Sequence, residues 1–543
     1  MIYNLEFIEN VFKSNYAPTD WKKQHFGWDV NEESKKAKEK IYKAKNIHLK
    51  EFHQILKDFF LSARDYHVGV NFISTEHSSL AFEVRGFNGK YYFVYIDREQ
   101  LPFKYFPIHI GDEILMFDGK PVNETIQEIK LKELRNDGNL HNDGNDKTDQ
   151  TLSEIFLTFR YNQSISTPKG PINILAKSAD SGKIVSCQTY WNYEPEKIKD
   201  ITRRQIPALT KKKTAADFLS KKNMTPSFWA NFRSLSKKEH PHMLGARKSF
   251  VPILGNLIWE SPPSNPFYAY LFRSNSLKNK TLAYIRIPHY TIVSGDEIKE
   301  FAKIVKYFES KSDALIIDQV NNPGGSVFYL YALASMLTTK DLNTPKHRMC
   351  ITQQDVFESI EILPELQNIK NDKEAINFFG NEFEGYPITY KFVQFCVNYF
   401  QFIINEWNKG KSLTEPHHIF GVDKISPSSL ARYSKPILIL TNELDFSGGD
   451  FFPAIFQDNR RAKILGTNTA GAGGYVNGFS YPNNLGIGYL SFTGSIAERI
   501  NKNPIENLGI QPDIEYHLDQ EDFQGNYKKY LENILLSLSK ILN

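Results

Sequence analysis

The chain has 543 residues, of which 41% are hydrophobic, 14% aromatic and 24% charged. At roughly 150 residues per domain this length holds about three or four domains, or two with large insertions, and the apolar content excludes both global disorder and a small disulfide-stapled scaffold. With 66 Lys plus Arg against 62 Asp plus Glu the formal charge is +4, too small to argue for nucleic acid or an anionic membrane as partner, so any basic site must be local.

The three cysteines, Cys187, Cys350 and Cys396, form no CxxC pair and have no histidine at zinc-finger spacing, so core thiols are expected rather than a disulfide framework or a metal site. No stretch approaches 18 consecutive apolar residues, and Glu6 and Glu9 interrupt the opening MIYNLEFIENVFKSNY where a signal peptide needs an apolar run. Neither a membrane span nor a signal peptide is therefore expected in these residues.

Residues 1–70 read as an N-terminal helical segment, because Ile41, Ile47, Phe52, Ile55, Leu56, Phe59 and Phe60 recur at roughly helical spacing. Alternating runs follow in HVGVNFI and YYFVYI, then GDEIL from Gly111 with a turn at Asp118-Gly119, so 71–195 is expected to be a small β-rich domain that resumes after the polar loop 136–150. Residues 196–260 read as a basic linker. Between 196 and 248, 14 Lys plus Arg stand against 4 Asp plus Glu without clear periodicity, which suits an exposed or regulatory loop; a nucleic-acid arm is disfavoured by aromatics that are few and irregularly placed.

From 261 to 543 strands alternate with helices. TLAYIRIP is followed by an apolar stripe at Ile298, Phe301, Ile304, Val305 and Phe308, then by the continuous apolar run DALIIDQV, the turn NNPGG and the helical SVFYLYALASML. KPILILTNE, SGGDFFPAIFQDNRR and AKILGTNTAG repeat the rhythm, which predicts an α/β domain with helices on a buried parallel or mixed sheet and a site where strands run into loops.

Three places carry candidate chemistry. Ser447 stands where an apolar strand runs into Asp445-Phe446-Ser447-Gly448-Gly449 and then a predicted helix, and a serine there is either a helix N-cap or an exposed nucleophile; Asp445 occupies the first glycine position of the usual GxSxG elbow. Paired glycines at Gly324-Gly325 are by themselves a tight turn, yet with Gly448 they offer backbone N–H groups from two strand ends, as an oxyanion hole requires. His67, between the helical segment and the β-rich domain, is a candidate base, with a structural histidine as the plainer reading. His417-His418 lack an HExxH context, which leaves metal hydrolysis without support.

The stretches DYHVG at 65–69, GDEILMFDGKPV at 111–122, LIIDQVNNPGG at 315–325 and LTNELDFSGGDFFPAIFQDNRRAKILGTNTAGAGG at 440–474 resemble the C-terminal processing, or tail-specific, serine peptidases. ENLGIQPDI at 506–514 is similar to the tricorn-like branch of that family, and YAPTDWKKQHFGWD at 16–29 adds a likeness to the chlamydial protease-like activity factors. The resemblance implies a crotonase-like ββα-type peptidase core with an inserted PDZ-like domain. It implies Ser447 as nucleophile, His67 as base and Glu506 as orienting carboxylate, with the oxyanion bound by Gly448 and one of Gly324 or Gly325. It also implies a peptide-carboxylate loop at SSLAF, hence Leu80, Ala81 and Phe82; protein or peptide substrates; no metal or organic cofactor; a homodimer; self-cleavage within 196–260 that activates a zymogen; and a secreted or exported location.

This sequence departs from the family in four places. Ala472 stands near the lysine of the bacterial Ser/Lys dyad, which excludes that dyad; Tyr66 replaces the serine that precedes the tricorn histidine; Gln319 replaces a frequent arginine and Asp450 a frequent glutamate. A catalytically silent PDZ-type peptide-binding protein and a small-ligand carrier on the same fold are the competing readings, and the presence of all three triad residue types favours the enzyme.

Overall fold

A computed structural model describes residues 1–44, 46–134, 147–161, 167–197, 223–224, 239–277 and 280–542. The N-terminal apolar spacing forms four helices, α1 (Ile2–Asn15), α2 (Thr19–Phe26), α3 (Val30–Lys43) and α4 (Leu49–Leu61). Asp29 caps α3 by accepting from Asn31 N at 2.9 Å. Leu5, Ile8 and Phe12 of α1 and Phe52, Leu56 and Phe60 of α4 share one core with Leu490 and Phe492, far along the chain. Strand β1 (Gly69–Phe72) then pairs antiparallel with Ile487–Thr493, so the boundary expected at residue 70 falls inside β1 and the helices are packed into the C-terminal body.

The β-rich region contains β2 (His77–Ser79), β3 (Phe82–Phe87), β4 (Lys90–Ile96), β5 (Glu113–Phe117), α5 (Val122–Glu133), α6 (Lys147–Thr158), β6 (Phe159–Tyr161), β7 (Pro171–Lys177), β8 (Ile184–Tyr190) and β9 (Asn192–Glu194). One sheet runs β3-β4-β5-β7-β8, and β2 lies between β9 and β6 in another. Asp118 and Gly119 have φ of 50° and 80°, the paired positive values that a tight hairpin turn needs, as their sequence predicts. Helix α6 packs on β3 and also reaches the C-terminal body, where Thr148 Oγ1 donates to Glu443 O at 3.0 Å and Thr151 Oγ1 to Glu443 Oε1 at 2.8 Å.

The C-terminal body follows the predicted βα rhythm. After a two-residue strand β10 (Asn223–Met224) come β11 (Asn256–Glu260), β12 (Ala269–Ser274), β13 (Lys280–Arg286), β14 (Ala314–Asp318), β15 (Gly325–Ser326), β16 (Ile437–Thr441), β17 (Lys463–Gly466), β18 (Val476–Phe479), β19 (Ile487–Thr493) and β20 (Ile514–Glu515). The main sheet is ordered β11-β12-β13-β14-β16-β17-β20, parallel from β13 onward. Every residue of β14 and β16 is buried, because helices such as α7 (Glu297–Lys311), α8 (Val327–Ser335) and α9 (Gly448–Asp458) cover the sheet. All five residues of the predicted stripe on α7 are buried. A second sheet runs β1-β19-β18-β10-β15, its last strand following β14 in the chain.

Candidate active site

Strand β16 ends at Thr441 and α9 begins at Gly448; the turn between them places Ser447 at φ 59° and ψ −108°, a conformation that a non-glycine residue holds only when its surroundings impose it. They do so through Asp450, whose Oδ2 accepts from Ser447 N at 2.6 Å and Ala472 N at 3.0 Å, while Oδ1 accepts from Gly471 N at 2.8 Å and from the Thr469 hydroxyl. Burial pushes the Asp450 carboxyl up to about 6 against these donors. Ser447 stands at the N-cap of α9 in a capping-box relation with Asp450, yet its Oγ is buried and has no hydrogen-bond partner among the described residues.

The two glycine loops approach closely. A Cβ on Gly448 would lie 2.8 Å from Tyr290 Cδ2, 3.2 Å from Gly324 Cα and 3.3 Å from Gly325 N, so a side chain there would have to displace the Tyr290 ring. Asp445, which breaks the GxSxG pattern, joins the loops: Oδ1 accepts from Asn322 N at 2.9 Å, and Oδ2 from Asn442 N at 3.0 Å and Gln319 Nε2 at 3.2 Å. Gln319 also donates to Gly449 O at 2.7 Å and accepts from Tyr290 OH at 3.0 Å. Of the two glycines offered as the second oxyanion donor, Gly324 already donates its N–H to Asn322 Oδ1 at 2.8 Å, which leaves Gly325, at φ 147°.

His67 sits on the turn between α4 and β1, fully enclosed. Its backbone N–H donates to Asp65 Oδ1 at 2.9 Å, and Asp65 Oδ2 accepts from Tyr16 OH at 3.0 Å and Thr493 Oγ1 at 2.7 Å. Neither imidazole nitrogen has a hydrogen-bond partner among the described residues. Burial pushes the ring down to about 4; Asp65 opposes this and Lys22 adds to it.

Glu506 is equally enclosed. Its Oε1 accepts from Lys22 Nζ at 2.5 Å and its Oε2 from Gly473 N at 3.2 Å; burial, with Asp65 beside it, pushes the carboxyl up to about 8 against the pull of Lys22. A chain of contacts thus runs from Ser447 through Asp450 and the 471–473 backbone to Glu506 and Lys22. No hydrogen bond links Ser447, His67 and Glu506 to one another among the described residues. Tyr66, where the tricorn branch has serine, donates to Asp149 Oδ1 on α6 at 2.9 Å and packs edge-on against Phe446 at 5.3 Å.

A strand of the basic linker enters this site. Within β10, Met224 pairs with Gly325 and Asn223 with Ser326 on one side and with Val476 on the other. Most of the remaining linker, including its lysine clusters, lies outside the described residues.

The loop expected to take a peptide carboxylate is closed at its centre: Leu80 N donates to Thr158 O at the end of α6 at 2.8 Å, Ala81 O accepts from Asp97 N at 2.8 Å, and Phe82 pairs with Ile96. Cys187, Cys350 and Cys396 are free thiols. Among the described residues no cluster of His, Cys, Asp and Glu is arranged to hold a metal, and no helix is long and apolar enough to cross a membrane.

A serine on a strained strand-to-helix turn after a buried parallel strand, near a second glycine-bearing loop, is an arrangement that serine hydrolases use, and the comparisons give the class of protein. Residues 281–516 match peptidase family S41 and residues 76–198 match a PDZ domain. The chain is 34% identical to a Chlamydia muridarum protein over 572 residues, covering 99% of this chain and 92% of that protein, and 33% identical to a Chlamydia trachomatis serovar D protein over 571 residues, covering 100% and 93%. Mature CPAF complexed with lactacystin superposes with a TM-score of 0.83 at 32% identity, covering 100% of this chain and 98% of that one. A serine-to-alanine mutant of CPAF gives 0.85 at 32% identity, covering 99% and 97%. The chain belongs to peptidase family S41, the tail-specific serine peptidases, and is a serine peptidase with a PDZ domain.

Proposed function

We propose that the protein is a serine endopeptidase acting on proteins or peptides through Ser447, His67 and Glu506, made as a latent zymogen that cuts its own linker. One observation carries the reading: the unpartnered Ser447 hydroxyl lies beside glycine loops against which β10, a strand of the linker, is paired. In the assembled site His67 takes the Ser447 proton as the oxygen attacks the scissile carbonyl, then passes it to the leaving amine; Glu506 holds the ring and balances the imidazolium. The N–H groups of Gly448 and Gly325 receive the oxyanion, and Gly448, first in α9, is among the helix donors that have no intrahelical acceptor.

An extended substrate would add to β15 and β18 as β10 does, so linker and substrate compete for the same edge. Latency then has two sources: the occupied edge and a triad whose members do not yet bond one another. Cleavage within 196–260 frees the edge. The likeness to mature CPAF supports a processed active form, and homodimerisation and export are proposed on the same resemblance.

Casein hydrolysis across a range of enzyme concentrations, beside Ser447→Ala, tests the reading. Turnover should fall by about 10⁴-fold or more in the variant with its fold intact, and the wild-type rate should rise faster than linearly with concentration if activation occurs in trans. Near-wild-type turnover in Ser447→Ala overturns the assignment. Lactacystin, which occupies the mature CPAF complex, is a first probe of the site.

A further inference from the structure

Lys22 lies on α2 inside the YAPTDWKKQHFGWD stretch, and its side chain is wholly enclosed. Lysine is almost never buried so completely unless it is paired. Its ammonium has three N–H groups, and each has an acceptor: Glu506 Oε1 at 2.5 Å, Asn507 Oδ1 at 2.5 Å and Arg64 O at 2.7 Å. Asn507 strengthens the grip, donating Nδ2 to Arg64 O at 3.0 Å and accepting from Trp21 Nε1 at 3.2 Å. The side chains of residues 506 and 507 are therefore clasped from one direction by α2 and the turn that carries His67.

The clasp is one-sided. Oε1 of Glu506 is held by the lysine, whereas Oε2 accepts a single N–H, that of Gly473 at 3.2 Å. A carboxylate offers about four lone-pair positions, so Oε2 retains room for an imidazole N–H. The charged and titratable groups around Glu506 are Lys22 from α2, Asp65 and His67 from the turn after α4, and Tyr16 after α1; the Arg64 guanidinium is directed over the Phe26 ring at 5.1 Å. Lys22 is the cation bonded to Glu506, and Asp65 is a second carboxylate in the same enclosure. Two buried carboxylates without a counter-charge do not both ionise.

We propose that Lys22 is a positioning residue for Glu506: it fixes Oε1 so that Oε2 can meet the imidazole of His67, and it is the cation that favours the ionised carboxylate against burial and the neighbouring Asp65. The inference rests on Glu506 being the triad carboxylate. Lys22 touches neither substrate nor the reacting atoms; it acts through Glu506.

The test uses processed enzyme as wild type, Lys22→Met, Glu506→Gln and the double variant, with kcat and KM measured separately across pH. Lys22→Met should lower kcat near neutral pH by about 10²-fold with KM little changed, within the range that loss of an orienting triad carboxylate costs. The acid limb of its kcat profile should move to higher pH, because losing the lysine raises both Glu506 and His67, and the deficit should shrink as pH rises. The double variant should be no slower than Glu506→Gln alone, since both changes break one unit.

A loss in Lys22→Met that is equal at every pH, an unchanged kcat, or an additive loss in the double variant overturns the role of Lys22 and leaves the triad standing. A Glu506→Gln enzyme with wild-type kcat overturns the triad assignment, and the inference with it. Should Lys22→Met fail to fold, Lys22→Gln, which keeps a hydrogen-bonding side chain without charge, is read against the same outcomes.

Discussion

Met224 faces Gly325 across an antiparallel bridge, and the same two-residue strand is paired through Asn223 with Val476 on its other side. Gly325 also lies close to Gly448, beside Ser447: a Cβ built on Gly448 would come within 3.3 Å of its nitrogen. A main-chain strand at this edge excludes any other extended chain from it, whatever its side chains.

Met224→Pro tests that exclusion, because proline removes a backbone N–H and restricts Asn223 before it. In uncut precursor, verified by intact mass, the rate of Ser447 labelling by a fluorophosphonate should rise about tenfold, the equivalent of roughly one hydrogen bond. An unchanged rate would mean that the strand does not limit access.

The histidine gives a second handle. Burial holds His67 at about 4 in the present arrangement, below its ordinary 6.5, so the ring is neutral down to mildly acidic pH. The sign follows: between 6.5 and 4 the unfolded chain takes up a proton that the folded one refuses, so the precursor loses about 3 kcal/mol from this group as pH falls through that window and keeps its full stability above it. NMR of labelled histidine in Ser447→Ala should show a ring titrating near 4 before linker cleavage and at about 6 or higher once Glu506 accepts from it. The same value before and after cleavage would refute assembly on activation.

Which parts of this molecule were legible beforehand follows from the range of the forces involved. The β14 and β16 strands and the α7 stripe are written in local apolar periodicity, and the tight turn at Asp118-Gly119 in its own dipeptide. The Ser447 turn could be placed, although its hydroxyl could not be told from a capping group until it was seen to lack a hydrogen-bond partner while Asp450 holds the Ser447 N–H. Lys22 was hidden. It neighbours Lys23, whose side chain is exposed, and what distinguishes the two is acceptors far along the chain, among them the Glu506 carboxylate 484 positions away. Asp445 likewise read as a flaw in an elbow motif, because its three donors come from two strand ends more than 100 residues apart.

Asp445→Asn follows from that last point. Both carboxylate oxygens of Asp445 accept hydrogen bonds, so an amide must turn its NH₂ toward at least one N–H donor and leave it unsatisfied, at a cost of about 2 kcal/mol. The loops bearing Gly325 and Gly448 would lose their common anchor. Thermal melting should record the destabilisation, and kcat should fall by about 10- to 10²-fold through misplaced oxyanion donors while KM changes less. Lower melting with unchanged kcat would confine Asp445 to a structural role.

The PDZ region makes the opposite kind of prediction, a loss of the binding for which such domains are known. A peptide carboxylate needs free N–H groups in the loop before β3, yet Leu80 N is given to Thr158 O. Helix α6 cannot easily draw back, since Tyr66 bonds its Asp149 and Glu443 accepts from its Thr148 and Thr151. A fluorescent peptide ending in a free valine carboxylate should therefore bind the precursor more weakly than about 1 mM, where the free energy is only about 4 kcal/mol, and amidating its terminus should change nothing. Saturable binding that amidation abolishes would show that α6 opens and that the groove is in use. Tyr66→Phe, which frees Asp149 from the His67 turn, should then tighten that binding, so peptide affinity read in the two proteins separates a closed groove from one that opens on demand.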